Sequence, residues 1–189
     1  MSEQRPEGRG WWRRNAWALV AVLVLAVATV GITSAREWSD YFSGRPTEAV
    51  TAEAGETATL DGSTFRLADV REEAFGEGVV GEALPAGTKA IVVAIDVDAE
   101  EGGALPAGCL VSLDETGGSH GERTWDDASL APVEIPMSED AVGYCASDAA
   151  GPYTLEVPFI VPENADGALT VSILVAESVP RFVRLRLPE

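Results

Sequence analysis

Lys89–Asp98 reads KAIVVAIDVD, and this stretch decides the fold. Its first half is apolar, as in a central strand covered on both faces. Its second half alternates Ile95 and Val97 against Asp96 and Asp98, the period of two expected of a half-exposed strand. Upstream, Thr57–Leu60 and Ser63–Val70 flank Asp61-Gly62, a two-residue hairpin signal. Leu60, Phe65 and Leu67 are its candidates for the inward face. Arg71–Phe75 reads as a turn of helix between strands.

Downstream, CLVSLD (Cys109–Asp114) sets Leu110 against Val111 and Leu113. Three more runs follow: YTLEVPFIV within Pro152–Val161, ALTVSILV at Ala168–Val175 and RFVRLRL at Arg181–Leu187. In the last, Arg184 and Arg186 share a face with Phe182, while Val183, Leu185 and Leu187 share the other. That is a basic stripe on an acidic domain, which neighbouring Glu and Asp side chains would pair across strands. About seven short strands divided by Gly and Pro turns predict an all-β fold, a two-sheet sandwich over residues 57–189. A closed barrel is the alternative.

Ahead of the strands lies NAWALVAVLVLAVATVGITSA, residues 15–35, with no charged residue. A helix of that length covers about 31 Å, the hydrocarbon thickness of a bilayer. The reading is a single transmembrane helix with residues 1–14 as a basic cytoplasmic tail. Arg13 and Arg14 hold that end inside, so the C-terminal part lies outside the cell membrane. Trp11, Trp12 and Trp17 at one end, and Trp38 and Tyr41 past the other, suit the headgroup zones. A signal peptide cleaved after Ala35 is the alternative, but the run exceeds the usual apolar core of such a segment. WWRRNAW lacks the flanks of a twin-arginine signal. Residues 36–56 read as a juxtamembrane spacer, with a short helical start at Glu37–Phe42.

Charge narrows the function. The chain carries a net −18, and from Arg36 onward 9 basic residues stand against 29 acidic ones, a net −20. Nucleic acid needs a basic face and is excluded. Anionic headgroups are excluded as partners of the outer domain on the same ground.

Cys109 and Cys145 are the two cysteines, both in the exported part. An even count in an oxidising compartment predicts a disulfide. It would tie the loop Gly117–Ala150 back to the strand that starts at Cys109. A redox pair would use Cys-x-x-Cys spacing, which is absent.

Catalytic signatures are missing. His120 is the sole histidine, in GGSHGE, and Ser119 beside it is badly placed for nucleophile–base work. There is no Gly-x-Ser-x-Gly elbow and no His-Glu-x-x-His. The expectation is therefore not an enzyme, with no cofactor. Calcium is the better chemical guess, through Asp96, Asp98, Glu100 and Glu101 at one strand end and Asp126 with Asp127 in the long loop. Their spacing matches no defined calcium loop, and an acidic surface also serves solubility alone.

The order of features is familiar. A basic N-terminus, one apolar span, Gly62–Phe65 (GSTF), KAIVVAIDVDAE, CLVSLDETG, a long loop with Trp125 and Cys145, VPFIVPENADGALTV and RFVRLRL follow in turn. Over residues 57–188 this resembles the bacterial immunoglobulin-like domains of unknown function found on lipoproteins and anchored proteins. Those domains are often labelled, misleadingly, telomeric repeat-binding factor-like. The resemblance implies an immunoglobulin-like sandwich at the cell surface with no assigned catalytic residues. The Ala, Val, Gly and Glu richness with a single Lys resembles actinobacterial proteins.

The expected function is a membrane-anchored, extracytoplasmic, non-enzymatic module. Its partners would be the lipid bilayer, through residues 15–35, and an envelope protein or cell-wall component. A calcium-dependent adhesion or sensing domain is the second reading, and a carboxylate-based hydrolase the third.

Overall fold

The computed structural model describes residues 8–73, 84–99, 109–131, 133, 135–146 and 151–188. It forms two compact units, residues 1–44 and 45–189.

The first unit is one helix, α1, Gly8–Ser43. Its 36 residues extend about 54 Å, and Gly10–Ser39 is long and apolar enough to cross a membrane. Polar groups inside it find partners on its own backbone. Asn15 Nδ2 donates to Trp11 O at 3.0 Å and Thr33 Oγ1 to Thr29 O at 2.9 Å. Such back-bonding gives the Asn15 and Thr33 donors partners in an apolar surround. The expected helical start at Glu37–Phe42 continues α1 directly, where Phe42 packs tilted against Trp38 and edge-to-face against Tyr41.

Among the described residues, the second unit is a sandwich of nine strands. They are β1 (Glu48–Ala52), β2 (Thr57–Leu60), β3 (Ser63–Glu73), β4 (Thr88–Ala99), β5 (Cys109–Thr116), β6 (Arg123–Asp126), β7 (Tyr153–Pro162), β8 (Ala168–Val175) and β9 (Arg181–Arg186). One sheet has the order β1-β9-β8-β5-β6 and the other β2-β3-β4-β7. These are two separate sheets, so the barrel is set aside. With β3, β4 and β7 as strands A, B and E, and β9, β8, β5 and β6 as G, F, C and C′, the order is that of an immunoglobulin-type sandwich.

Parity builds the core. Val93, Ile95, Val97, Leu155, Val157 and Phe159 enter from one sheet, and Leu113, Val171, Ile173, Val183 and Leu185 from the other. In β3 a register shift between Leu67 and Asp69 inserts one residue. Phe65, Leu67 and Val70 thereby all reach the core side, although their spacing breaks a period of two. The central strand is covered on both faces as expected, with Ala90, Val92 and Ala94 buried on the side away from the core. The Asp61-Gly62 turn has positive φ at both residues, 49° and 83°, which is the hairpin geometry that dipeptide favours.

Three expectations are corrected. Five residues of the stretch read as spacer, Glu48–Ala52, form β1 and pair parallel with β9, Val50 opposite Val183 and Ala52 opposite Leu185. The partner lies far along the chain, so no local period announces it. Arg71–Glu73 continue β3 instead of turning as helix, because the bulge resets the pattern and Arg71 pairs with Val92; residues 74–75 lie outside the described set. Within Gly117–Ala150, Arg123–Asp126 form β6, whose Trp125 packs against the core.

Cys109 and Cys145 are bonded, with 5.9 Å between their Cα atoms. The bridge pins the long loop beside β7. There Val142 N donates to Thr154 O at 3.0 Å and Glu156 N to Val142 O at 2.9 Å. The loop thus lies along the β7 edge as a one-residue parallel bridge.

Two measurements check this packing by denaturant unfolding of the full chain. Phe159→Ala should cost about 3–5 kcal/mol, whereas Leu130→Ala, at a position 97% exposed, should change stability by less than about 0.5 kcal/mol. Converting both cysteines to Ser should cost about 4 kcal/mol for the 36-residue separation they close.

Candidate functional site

A hollow of about 580 Å³ takes in part of the outer face of the five-stranded sheet and reaches Cys145, Leu155 and Val157 on the core side. The outer face is built of cross-strand rows. One row reads Thr51–Arg184–Ser172–Ser112–Asp126 and crosses all five strands. The next reads Arg186–Thr170–Asp114–Thr124. On the other side of the first, Leu174 faces Leu110, which is 70% exposed.

The acidic side of the hollow is partly organised. Asp114 accepts from Thr124 Oγ1 at 2.8 Å and from Ser172 Oγ. Both its oxygens are held, so the carboxylate is fixed in place. The Asp126 carboxylate makes no hydrogen bond to the described residues. On the basic side, the Arg184 guanidinium lies 5.1 Å from the Phe182 ring centre. Its Nε is buried and has no partner among the described residues. Arg186 pairs with Glu53 at 3.2 Å, and Arg181 pairs with Asp61. The stripe read from RFVRLRL is present, and of its two arginines Arg186 is ion-paired while Arg184 has no carboxylate partner among the described residues.

At one end of the sandwich a second cluster forms around Glu115. Its carboxylate is buried and receives Arg123 Nε at 2.6 Å and Gly167 N at 2.7 Å. The Arg123 bond holds Glu115 below the usual carboxylate range, against burial that pushes it up. Arg123 also donates to Asn164 Oδ1 at 3.1 Å. Nearby, Ser119 Oγ donates to Asp166 Oδ2 at 2.8 Å and lies 2.9 Å from His120 Nδ1. Asn164 Nδ2 is 3.2 Å from His120 Nε2. A serine has one proton, and here the carboxylate takes it, so the network assigns the imidazole proton to Nδ1. This is the reverse of a nucleophile–base–acid relay, in which the carboxylate orients the histidine. The arrangement clamps the β5–β6 turn to the β7–β8 turn.

A third cluster pins the long loop. Glu156 on β7 accepts both terminal nitrogens of Arg71, each at 2.9 Å, and Ser138 N at 2.8 Å. Arg71 also donates to Pro136 O at 3.0 Å. The Arg71 guanidinium and the Ser138 donors hold the Glu156 carboxyl at about 2, despite burial.

The residues considered for calcium are spread out. Asp96 on β4 pairs with Arg66, and Asp98 follows on the same strand, opposite Thr64. Asp126 and Asp127 belong to the other sheet's side, where Asp127 accepts Ser129 N at 2.7 Å and Ser129 Oγ at 2.8 Å. Glu100 and Glu101 lie outside the described residues. Among the described residues no three His, Cys, Asp or Glu side chains gather as a metal would need.

The Glu115 and Glu156 clusters were not singled out from sequence. Glu115 carried a signal, since it falls on the inward parity of CLVSLDE. Glu156 carried none, because its face is covered only by a loop remote in sequence.

No protein-family model matches the chain, and no curated protein matches it in sequence. A similar solved structure is that of an uncharacterized beta-sandwich protein from Clostridium difficile 630, at 9% identity and a TM-score of 0.41, covering 76% of this chain and 96% of that one.

A depressed carboxylate contributes stability that is complete above its unfolded value and drains away as pH falls through its folded value. For Glu156 that window runs from 4.5 down to about 2. Its side chain is 3% exposed, so the contribution is on the order of 3 kcal/mol. Glu156→Gln should lose stability at pH 7 and flatten the acid limb of a denaturation curve within that window. An unchanged acid limb would reject the assignment.

Proposed function

We propose that the chain is a single-pass membrane protein whose immunoglobulin-like sandwich lies outside the cytoplasmic membrane. In this reading the sandwich binds a protein or cell-envelope component and catalyses no reaction. The observation that carries it is the unbroken helix α1, whose 15–35 run is free of charge and directly follows Arg13-Arg14. A bilayer accepts such a segment with its basic flank in the cytoplasm. The Cys109–Cys145 bridge fits an oxidising compartment. A finer placement, among the bacterial immunoglobulin-like domains often labelled telomeric repeat-binding factor-like, rests on Phe159–Pro162, ALTVSILV and RFVRLRL.

Binding suits the outer sheet face better than chemistry does. Asp114, Thr124 and Ser172 fix one another there, Arg184 and Asp126 are left without an ionic partner among the described residues, and an exposed Leu110 sits beside them. Such a face offers complementarity without a nucleophile aligned to a base.

Alkaline carbonate extraction of cell membranes tests the anchor. The chain should stay in the pellet at full mass, with both thiols unreactive to maleimide until reduced. Recovery in the cytosol with both thiols free would end the reading. A mass loss corresponding to cleavage after Ala35 would replace the anchor with a signal peptide.

A further inference from the structure

We propose that the outer face of the five-stranded sheet is a self-association surface, docking a second copy of this chain about a two-fold axis parallel to the strands. The choice of axis rests on the membrane-anchored reading; the match of the two faces does not.

The warrant is the row Arg184–Ser172–Ser112–Asp126, which crosses β9, β8, β5 and β6. Arg66, Arg71, Lys89, Arg123, Arg181 and Arg186 each have a carboxylate partner. Arg184 has none among the described residues, and its Nε is left without a hydrogen bond. Asp126, at the far end of the same row, also makes no ion pair with them. An unpaired cation and an unpaired anion thus face one hollow. They stand three strand spacings apart, about 14 Å. Two charges that far apart do not fit a compact zwitterion.

They do fit their own copy. A two-fold axis parallel to the strands and midway between β8 and β5 lays β9 of one copy over β6 of the other. Arg184 then opposes Asp126, and Ser172 opposes Ser112, twice by symmetry. The neighbouring row lays exposed Leu110 over Leu174. An axis across the strands would instead lay β9 over β9 and bring arginine towards arginine. Facing sheets pack about 10 Å apart, a gap that an Arg and an Asp reaching towards each other can span.

The path of the chain selects the same axis. Thr47 N and Glu48 N both donate to Pro180 O, at 2.9 and 3.0 Å, so the segment from α1 joins the sandwich at the start of β1 and β9. Two copies in one bilayer must both be joined from the same side. Only the axis along the strands keeps those starts at one end. Anchoring confines both copies to one plane and raises their effective concentration. Salt screens the repulsion between two acidic domains to a range of about 8 Å.

Cysteine crosslinking of the full chain in phosphatidylcholine vesicles tests this. Leu110→Cys supplies one free thiol near the axis, since the native pair is bridged. A bismaleimide of about 10 Å span should give a product of twice the chain mass. Arg184→Asp or Asp126→Arg should each cut its yield about tenfold, and the two together should restore it. Thermal unfolding of each variant checks its folding, and the restored double swap stands even if a single swap misfolds. A monomer in the membrane pellet, or a double swap as poor as either single one, would overturn the dimer and leave the anchor standing. A crosslinked dimer in the soluble fraction would overturn the anchor alone. Repeated in native membranes, capture of a different protein in place of a copy would overturn self-association.

Discussion

Every second side chain of a strand must enter one shared core, and the rest of this sandwich follows from that parity. Phe65, Ile95, Leu113, Phe159 and Ile173 are all fully buried between the sheets. Where the sequence departs from a period of two, the backbone yields. The bulge after Leu67 turns Val70 inward and leaves Arg71 outward, within reach of Glu156. A single inserted residue therefore satisfies the core and delivers the cation that fixes the long loop. Parity on the opposite side of the five-stranded sheet lines up Arg184, Ser172, Ser112 and Asp126 in one row.

Buried acids do the work of tying loops to sheets. Glu115 gathers Arg123 and the Gly167 amide between two turns. Room there is scarce: a Cβ on Gly167 would come within 2.6 Å of Thr116 O and 2.7 Å of the Glu115 side chain. Glycine at that position is a matter of space. Glu156 gathers Arg71 and Ser138 on the other sheet. In both cases a charge taken out of water is balanced by a guanidinium and by N–H donors, the condition under which burial of a carboxylate is tolerated.

Much of this was legible in the sequence because strand periodicity is local. ALTVSILV was read at its observed bounds, and RFVRLRL was read with Arg184 and Arg186 on the outward face. The two-sheet sandwich followed from the spacing of such runs. β1 and β6 were missed because each is short and depends on a partner strand for its identity. Val50 and Ala52 have no pattern until Val183 and Leu185 lie beside them. The hollow was legible only in part. Arg184 and Phe182 announced an outward face, yet the row that joins Arg184 to Asp126 depends on register across four strands, which no single strand contains. Glu156 was silent for a related reason, since the loop that covers it is folded back by a disulfide.

That loop has a further effect through the backbone it covers. Val142 occupies the N–H and C=O groups that β7 would otherwise present at the margin of its sheet. An uncovered margin is a template for pairing with foreign strands. Only Cys145 ties the loop covalently at that point. Reduction would leave that cover to the Val142 hydrogen bonds and to the Glu156–Ser138 and Arg71–Pro136 contacts, so a disulfide and a buried acid share the guarding of one sheet margin.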